Sequence, residues 1–127
     1  MSLIKGIHHV SVRARGKEAF EKTVAFYRDT LQMPVVRAWS GAVMMGAGES
    51  CIEIFDNAPE QVEKGIITHF ALAVDDVDAC VKAVKEAGYE VFVEPNDVDI
   101  QSDPIFPVRI AFCHGPVGEE IEFFQLR

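Results

Sequence analysis

Ile7-His8-His9-Val10-Ser11-Val12-Arg13 returns sixty positions later as Ile67-Thr68-His69-Phe70-Ala71-Leu72-Ala73, with histidine third in both copies. Each half then closes on a second phrase, Cys51-Ile52-Glu53-Ile54-Phe55 in the first and Glu120-Ile121-Glu122-Phe123-Phe124 in the second. All four stretches alternate between two sets of side chains, the period-two signature of strands that bury one face. A unit that begins and ends on a strand is therefore written twice.

The segments between these strands also correspond. In the first half Gly16 breaks the opening strand, and Phe20, Val24, Tyr27 and Leu31 fall at helical spacing, which predicts an amphipathic helix over 17–31 ended by Pro34. Short strands are expected at 35–39, 43–45 and 51–55 around Gly41, Gly46 and Gly48. After a polar connector from Asn57 to Gly65, the second half predicts a strand over 66–74. Asp75 and Asp78 have the spacing of a capping box opening a helix that carries Val77, Val81, Val84 and Ala87 and stops at Gly88. Strands are expected at 90–94, near 108–112 and at 119–125, with a long polar loop from Pro95 to Pro107. The fold class is α+β: two βαβββ modules in tandem, at about 4–58 and 64–127, forming a curved mixed sheet around a cleft within a single domain over 1–127. A four-stranded half covered by one helix leaves a face open, so the halves, or two chains, must close on each other.

Composition narrows the function. The chain has 127 residues, 49% hydrophobic and 25% charged, ordinary values for a globular domain. No apolar run approaches the length of a membrane-spanning helix and no signal-like segment opens the chain, so the expectation is a cytoplasmic protein without a membrane partner. A net charge of −8 disfavours nucleic acid, whose phosphates are neutralised by Lys and Arg. Cys51, Cys80 and Cys113 are odd in number, lack C-x-x-C spacing and read as reduced thiols. Met1-Ser2-Leu3 carries no assigned role.

Parity singles out four residues. Equal-parity residues on a strand share a face. Val10 and Val12 oppose His9; Phe70, Leu72 and Val74 oppose His69; Ile52 and Ile54 oppose Glu53; Ile121 and Phe123 oppose Glu122. The aliphatic sides belong under the helices, which turns His9, Glu53, His69 and Glu122 toward the open faces. Imidazole and carboxylate are common ligands of catalytic divalent transition metals, and two of each balance one cation while leaving positions for substrate. His8 has the opposite parity and is expected beneath the helix or near an edge; His114 is expected in a turn or at a pocket rim.

These features together resemble the glyoxalase I/bleomycin resistance/extradiol dioxygenase superfamily, also called vicinal oxygen chelate proteins. The resemblance is carried by the two repeated phrases, by Ala25-Phe26-Tyr27-Arg28-Asp29-Thr30-Leu31-Gln32-Met33, and by Gly115-Pro116-Val117-Gly118-Glu119-Glu120-Ile121-Glu122. It implies the glyoxalase/bleomycin resistance fold, with His9, Glu53, His69 and Glu122 as ligands of a divalent ion (Ni2+ or Zn2+ first, Co2+ or Mn2+ as alternatives). Glu53 matches the lactoylglutathione lyase set, where related transferases and dioxygenases have no carboxylate closing the first half. The resemblance also implies Glu53 and Glu122 as the acid–base residues, and Arg13 and Asn57 as holders of the carboxylates of glutathione or another thiol co-substrate. A small-molecule substrate and a homodimer are expected on the same ground. Two turns depart from the family pattern: Gln32 stands where the family has a left-handed Gly cap, and Gly115-Pro116-Val117-Gly118 replaces an Asp-Pro-Asp-Gly turn.

The implied activity is lyase or isomerase chemistry on a vicinal-dioxygen substrate, such as the hemithioacetal of a 2-oxoaldehyde. The alternatives are a metal-dependent epimerase or dioxygenase-like enzyme of the same superfamily, or a non-enzymatic protein sequestering a cationic aromatic drug in an acidic pocket lined by Trp39, Phe55 and Phe124.

Overall fold

The computed structural model describes residues 6–59, 65 and 67–127. The chain divides into two compact units, Met1–Val62 and Glu63–Arg127. Each carries the α+β pattern expected of its half.

In the first unit β1 (His9–Arg13) is followed by α1 (Gly16–Ala25), then β2 (Val35–Trp39), β3 (Ala42–Ala47) and β4 (Ser50–Phe55). The sheet order is β1-β4-β3-β2, with β1 parallel to β4 and the other pairs antiparallel. A parallel pairing of the first and last strands needs a crossover rather than a hairpin, and the helix lies on that connection. Ile52, Ile54, Met45, Val24, Phe26 and Tyr27 are buried together as the apolar core of this unit.

The helix expected to run unbroken over 17–31 instead widens after Ala25 into a π-helical turn, Phe26–Thr30. Leu31 N–H reaches back five residues to the Phe26 carbonyl at 3.0 Å. The wider turn buries two consecutive aromatics, Phe26 and Tyr27, with their rings edge-to-face at 5.1 Å. Nor is the left-handed cap lost with its glycine. Gln32 adopts φ 58° and lets Met33 N–H bond the Tyr27 carbonyl at 3.0 Å. A side chain in this conformation costs about 1–2 kcal/mol, which the buried turn offsets.

The second unit repeats the order: β5 (Phe70–Ala73), α2 (Val77–Glu86), β6 (Val91–Ile100), β7 (Phe106–His114) and β8 (Glu120–Leu126), in sheet order β5-β8-β7-β6 with β5 parallel to β8. Of the 66–74 expected for the opening strand, position 66 lies outside the described residues and the strand covers Phe70–Ala73. The cap of α2 is also one residue off: Asp76, not Asp75, accepts from Ala79 N–H at 3.0 Å. Gln125 Oε1 on β8 accepts from Val77 N–H at 2.9 Å, tying the helix start to the sheet. Asp78 turns away from the capping role to meet Arg109. Gly88, at φ 87°, closes the helix as expected.

The largest correction is the stretch from Pro95 to Pro107. Most of it is strand rather than polar loop, since β6 and β7 pair from Asn96↔Ile110 out to Ile100↔Phe106. Its polar residues serve the outer face of this hairpin. Arg109 bridges Asp78 at 2.8 Å and Asp97 at 2.9 Å, and Arg127 holds Asp99 at 2.9 Å. Acidic side chains on an exposed strand hid a pairing that cross-strand arginines make favourable.

Candidate metal centre

The parallel pairing in each unit decides which side chains meet. β1 against β4 sets Ser11 opposite Glu53, and β5 against β8 sets Ala71 opposite Glu122. Parallel strands of equal parity then place the histidine two residues upstream near the same carboxylate. His9 Nε2 lies 3.5 Å from Glu53 Oε1, and His69 Nε2 lies 3.2 Å from Glu122 Oε1. The two pairs are alike in accessibility, with imidazoles 39% and 37% exposed and carboxylates 11% and 12%. The structure thus pairs the four predicted ligands two by two. Among the described residues no group of three or more His, Cys, Asp or Glu side chains meets at one point.

The other ring nitrogen is engaged in both halves by the preceding residue. His9 Nδ1 is 2.9 Å from His8 Nδ1, and His69 Nδ1 is 3.2 Å from Thr68 Oγ1. A histidine that binds a cation through Nε2 carries its proton on Nδ1, and a partner there fixes both tautomer and ring orientation. His8 is therefore not beneath the helix. It is exposed, with its ring edge-on to His9 at 5.2 Å, and it supports the first predicted ligand. The doubled histidine was the sequence signal for this role.

Within each unit the spacing of the His–Glu pair is compatible with two ligands of one divalent cation. Two ligands each about 2.0–2.2 Å from one ion lie roughly 3.0–3.5 Å apart at tetrahedral or octahedral angles. The His9–Glu53 spacing of 3.5 Å exceeds an ordinary N–H···O hydrogen bond but matches that separation.

The neighbours of the two pairs differ. Among the described residues Glu53 is the one buried charged side chain, at 8% exposure, between Ser11 on β1 and Met44 on β3. Ser11 Oγ donates to its Oε1 at 2.7 Å. Glu122 lies between Ala71 and Phe112. The Phe112 ring stands edge-on to His69 at 5.1 Å and continues to Phe92 at 5.6 Å. Phe92 in turn stacks on His114 at 4.3 Å. His114 is the last residue of β7 rather than part of a turn, and its Nδ1 is 2.7 Å from Glu90 Oε1.

The turn that delivers β8 is compact. Gly118 takes φ 85° and bonds back to the Gly115 carbonyl at 3.0 Å. A Cβ at position 115 would strike the Glu119 carboxylate, which accepts from Val117 N–H at 2.9 Å. The departure from the family's turn sequence leaves Glu122 in register with Phe112.

Arg13 is exposed at the end of β1, two residues beyond Ser11 on the same side as His9. Asn57 is exposed and bridges to Arg15 just after β4. Trp39 is 45% exposed and packs edge-to-face on Phe55 at 6.4 Å, while Phe124 packs on Phe106 in the second unit at 5.8 Å. All three cysteines are free thiols. Burial pushes the Cys113 thiol up to about 12 and raises Cys80 as well, so neither is a thiolate nucleophile at neutral pH. Among the described residues no helix is long and apolar enough to cross a membrane.

Comparisons with known proteins agree with this architecture. A family model described as "Glyoxalase/Bleomycin resistance protein/Dioxygenase superfamily" matches residues 6–123. The uncharacterized protein YaeR of Escherichia coli K12 is 29% identical over 135 residues, covering 96% of this chain and 97% of YaeR. A glyoxalase family protein from Enterococcus faecalis is similar in structure with a TM-score of 0.70 and 21% identity, covering 97% of this chain and 99% of its own. A lactoylglutathione lyase from Agrobacterium tumefaciens gives a TM-score of 0.68 and 17% identity, covering 96% and 94%. At these identities the two structures speak to the fold alone.

Proposed function

This chain belongs to the glyoxalase/bleomycin resistance protein/dioxygenase superfamily, and we propose that it is a metal-dependent, glyoxalase I-like lyase or isomerase of the cytoplasm. The proposed substrate has two vicinal oxygens, such as the hemithioacetal formed by a 2-oxoaldehyde and a thiol. The observation that carries the reading is the twofold His–Glu pair, with Nε2 and Oε1 at 3.5 Å and 3.2 Å and each Nδ1 engaged by the preceding residue. His9, Glu53, His69 and Glu122 are the proposed ligands, supplied by one chain or by the two chains of a homodimer. The donor set is compatible with Ni2+, Zn2+, Co2+ or Mn2+.

A divalent cation held there supplies Lewis acidity toward the two substrate oxygens. The remaining chemistry falls to the chain's own side chains. An oxygen of the Glu53 or Glu122 carboxylate accepts the proton from the carbon beside the carbonyl and returns it to the neighbouring carbon, an isomerisation that needs no external oxidant. His8 and Thr68 keep the imidazole rings oriented. Arg13 offers a cation on the same side of β1 as His9, and with Asn57 it is the proposed contact for the carboxylates of glutathione or another thiol.

The direct test is to load the purified protein with Ni2+ or Zn2+, add methylglyoxal with glutathione, and follow thioester formation. Turnover that needs the metal supports the proposal. Metal-loaded protein that forms no thioester with glutathione or with other small thiols would sink it.

A further inference from the structure

The two half-sites part company at one register position. Ser11 stands opposite Glu53, and Ala71 stands opposite Glu122. The Ser11 hydroxyl donates to Glu53 Oε1 at 2.7 Å, the length of a charge-assisted O–H···O bond. The methyl of Ala71 has no proton to donate. On the far side Glu53 faces the thioether of Met44, so the serine is its hydroxyl neighbour within the sheet. Backbone register holds Ser11 in place, so the hydroxyl meets the carboxylate without first being ordered.

We propose that Ser11 is a positioning residue that makes the two glutamates unequal: it tethers Glu53 as the standing metal ligand and leaves the proton-carrying role to Glu122. The inference rests on the metal centre and reaction class proposed above. A carboxylate that carries a proton between two carbons must change its position during turnover, and a tether to a rigid strand opposes that motion. A carboxylate that only binds the cation gains from the same tether, because a partner that orients a ligand lowers the cost of arranging it.

Three variants test the assignment: Ser11→Ala, Ser11→Thr and Ala71→Ser. Positions 11 and 71 are both exposed, so folding is expected to survive and is checked by melting. Affinity for Ni2+ and Zn2+ is read by competition with a chromophoric chelator, without any substrate. Ser11→Ala is expected to weaken metal binding by about 10–100-fold, the range for losing a partner that orients a ligand. Ser11→Thr keeps the hydroxyl and should stay near wild type. Ala71→Ser should leave metal affinity unchanged or raised while lowering kcat by about tenfold at unchanged KM, because it tethers the group that moves.

Wild-type affinity in Ser11→Ala, or full kcat in Ala71→Ser, overturns the assignment while a metal-dependent wild-type activity keeps the function itself intact. A wild-type protein that binds neither metal removes both.

Discussion

The first unit holds its glutamate, whereas the second holds its histidine. Glu53 is gripped by the Ser11 hydroxyl and shielded by Met44, and His9 has the exposed His8 imidazole at its Nδ1. In the second unit Glu122 faces the methyl of Ala71, while His69 is braced by Phe112 at the end of an aromatic row running through Phe92 to His114. The strand parity and the pair of donors are the same in both units. The residues that restrain those donors are different, so a duplicated scaffold here carries two chemically distinct halves.

The sharpest way to break the comparison is to remove each glutamate in turn. Glu122→Gln is expected to lower thioester formation on the order of 10²–10⁴-fold for a missing acid–base group, and Glu53→Gln to lose it through weakened metal binding. Full activity in both variants would end the acid–base role. Equal loss of metal affinity in both would instead blur the distinction between the halves.

Next in size is the core beneath each pair. Tyr27→Ala in the first unit and Phe123→Ala in the second remove fully buried rings and should each cost about 3–5 kcal/mol in urea unfolding. A cost below 1 kcal/mol at either position would contradict the packing described.

A smaller and more selective effect is expected from Phe112→Ala. Loss of the ring that braces His69 should weaken metal binding by about tenfold without changing the fold. Unchanged affinity would show that the aromatic row plays no part in orienting the imidazole.

Two milder tests probe the corrected segments. In Arg109→Met the β6–β7 hairpin should lose stability relative to wild type at neutral pH. The Arg109 guanidinium holds the Asp78 carboxyl below its ordinary range, so this stabilisation is present above about pH 3.9, the usual Asp value, and fades as the pH falls through the lower folded value. Urea midpoints of the two proteins should therefore converge at acid pH; a constant gap would remove this account. Gln32→Gly should stabilise the protein by about 0.5–1 kcal/mol, since glycine adopts the left-handed φ without strain but loses more freedom on folding. A destabilised variant would mean that the Gln32 side chain contributes more than its backbone costs.

Much of this was legible in the chain. Patterning placed each strand at least in part, and the parity of His9, Glu53, His69 and Glu122 placed the candidate donors on the more exposed face of each sheet. The misses have separate causes. The π-turn at Phe26–Thr30 appears because two consecutive aromatics need burial, which a helical-spacing template treats as one apolar stripe. The strand character of 95–107 was masked by acidic residues whose arginine partners, Arg109 and Arg127, are distant in sequence. His8, expected beneath the helix or near an edge, lies exposed just before the edge strand β1.

What the sequence determined by itself was the twofold plan: the order of elements, the candidate donor residues and the parity each has with its strand. These depend on local periodicity, which the chain carries in every short window. What only the tertiary structure decided was the company those donors keep. The serine across from Glu53, the ring against His69 and the imidazole behind His9 are set by register between strands and by ring packing, and neither is encoded at a fixed distance along the chain.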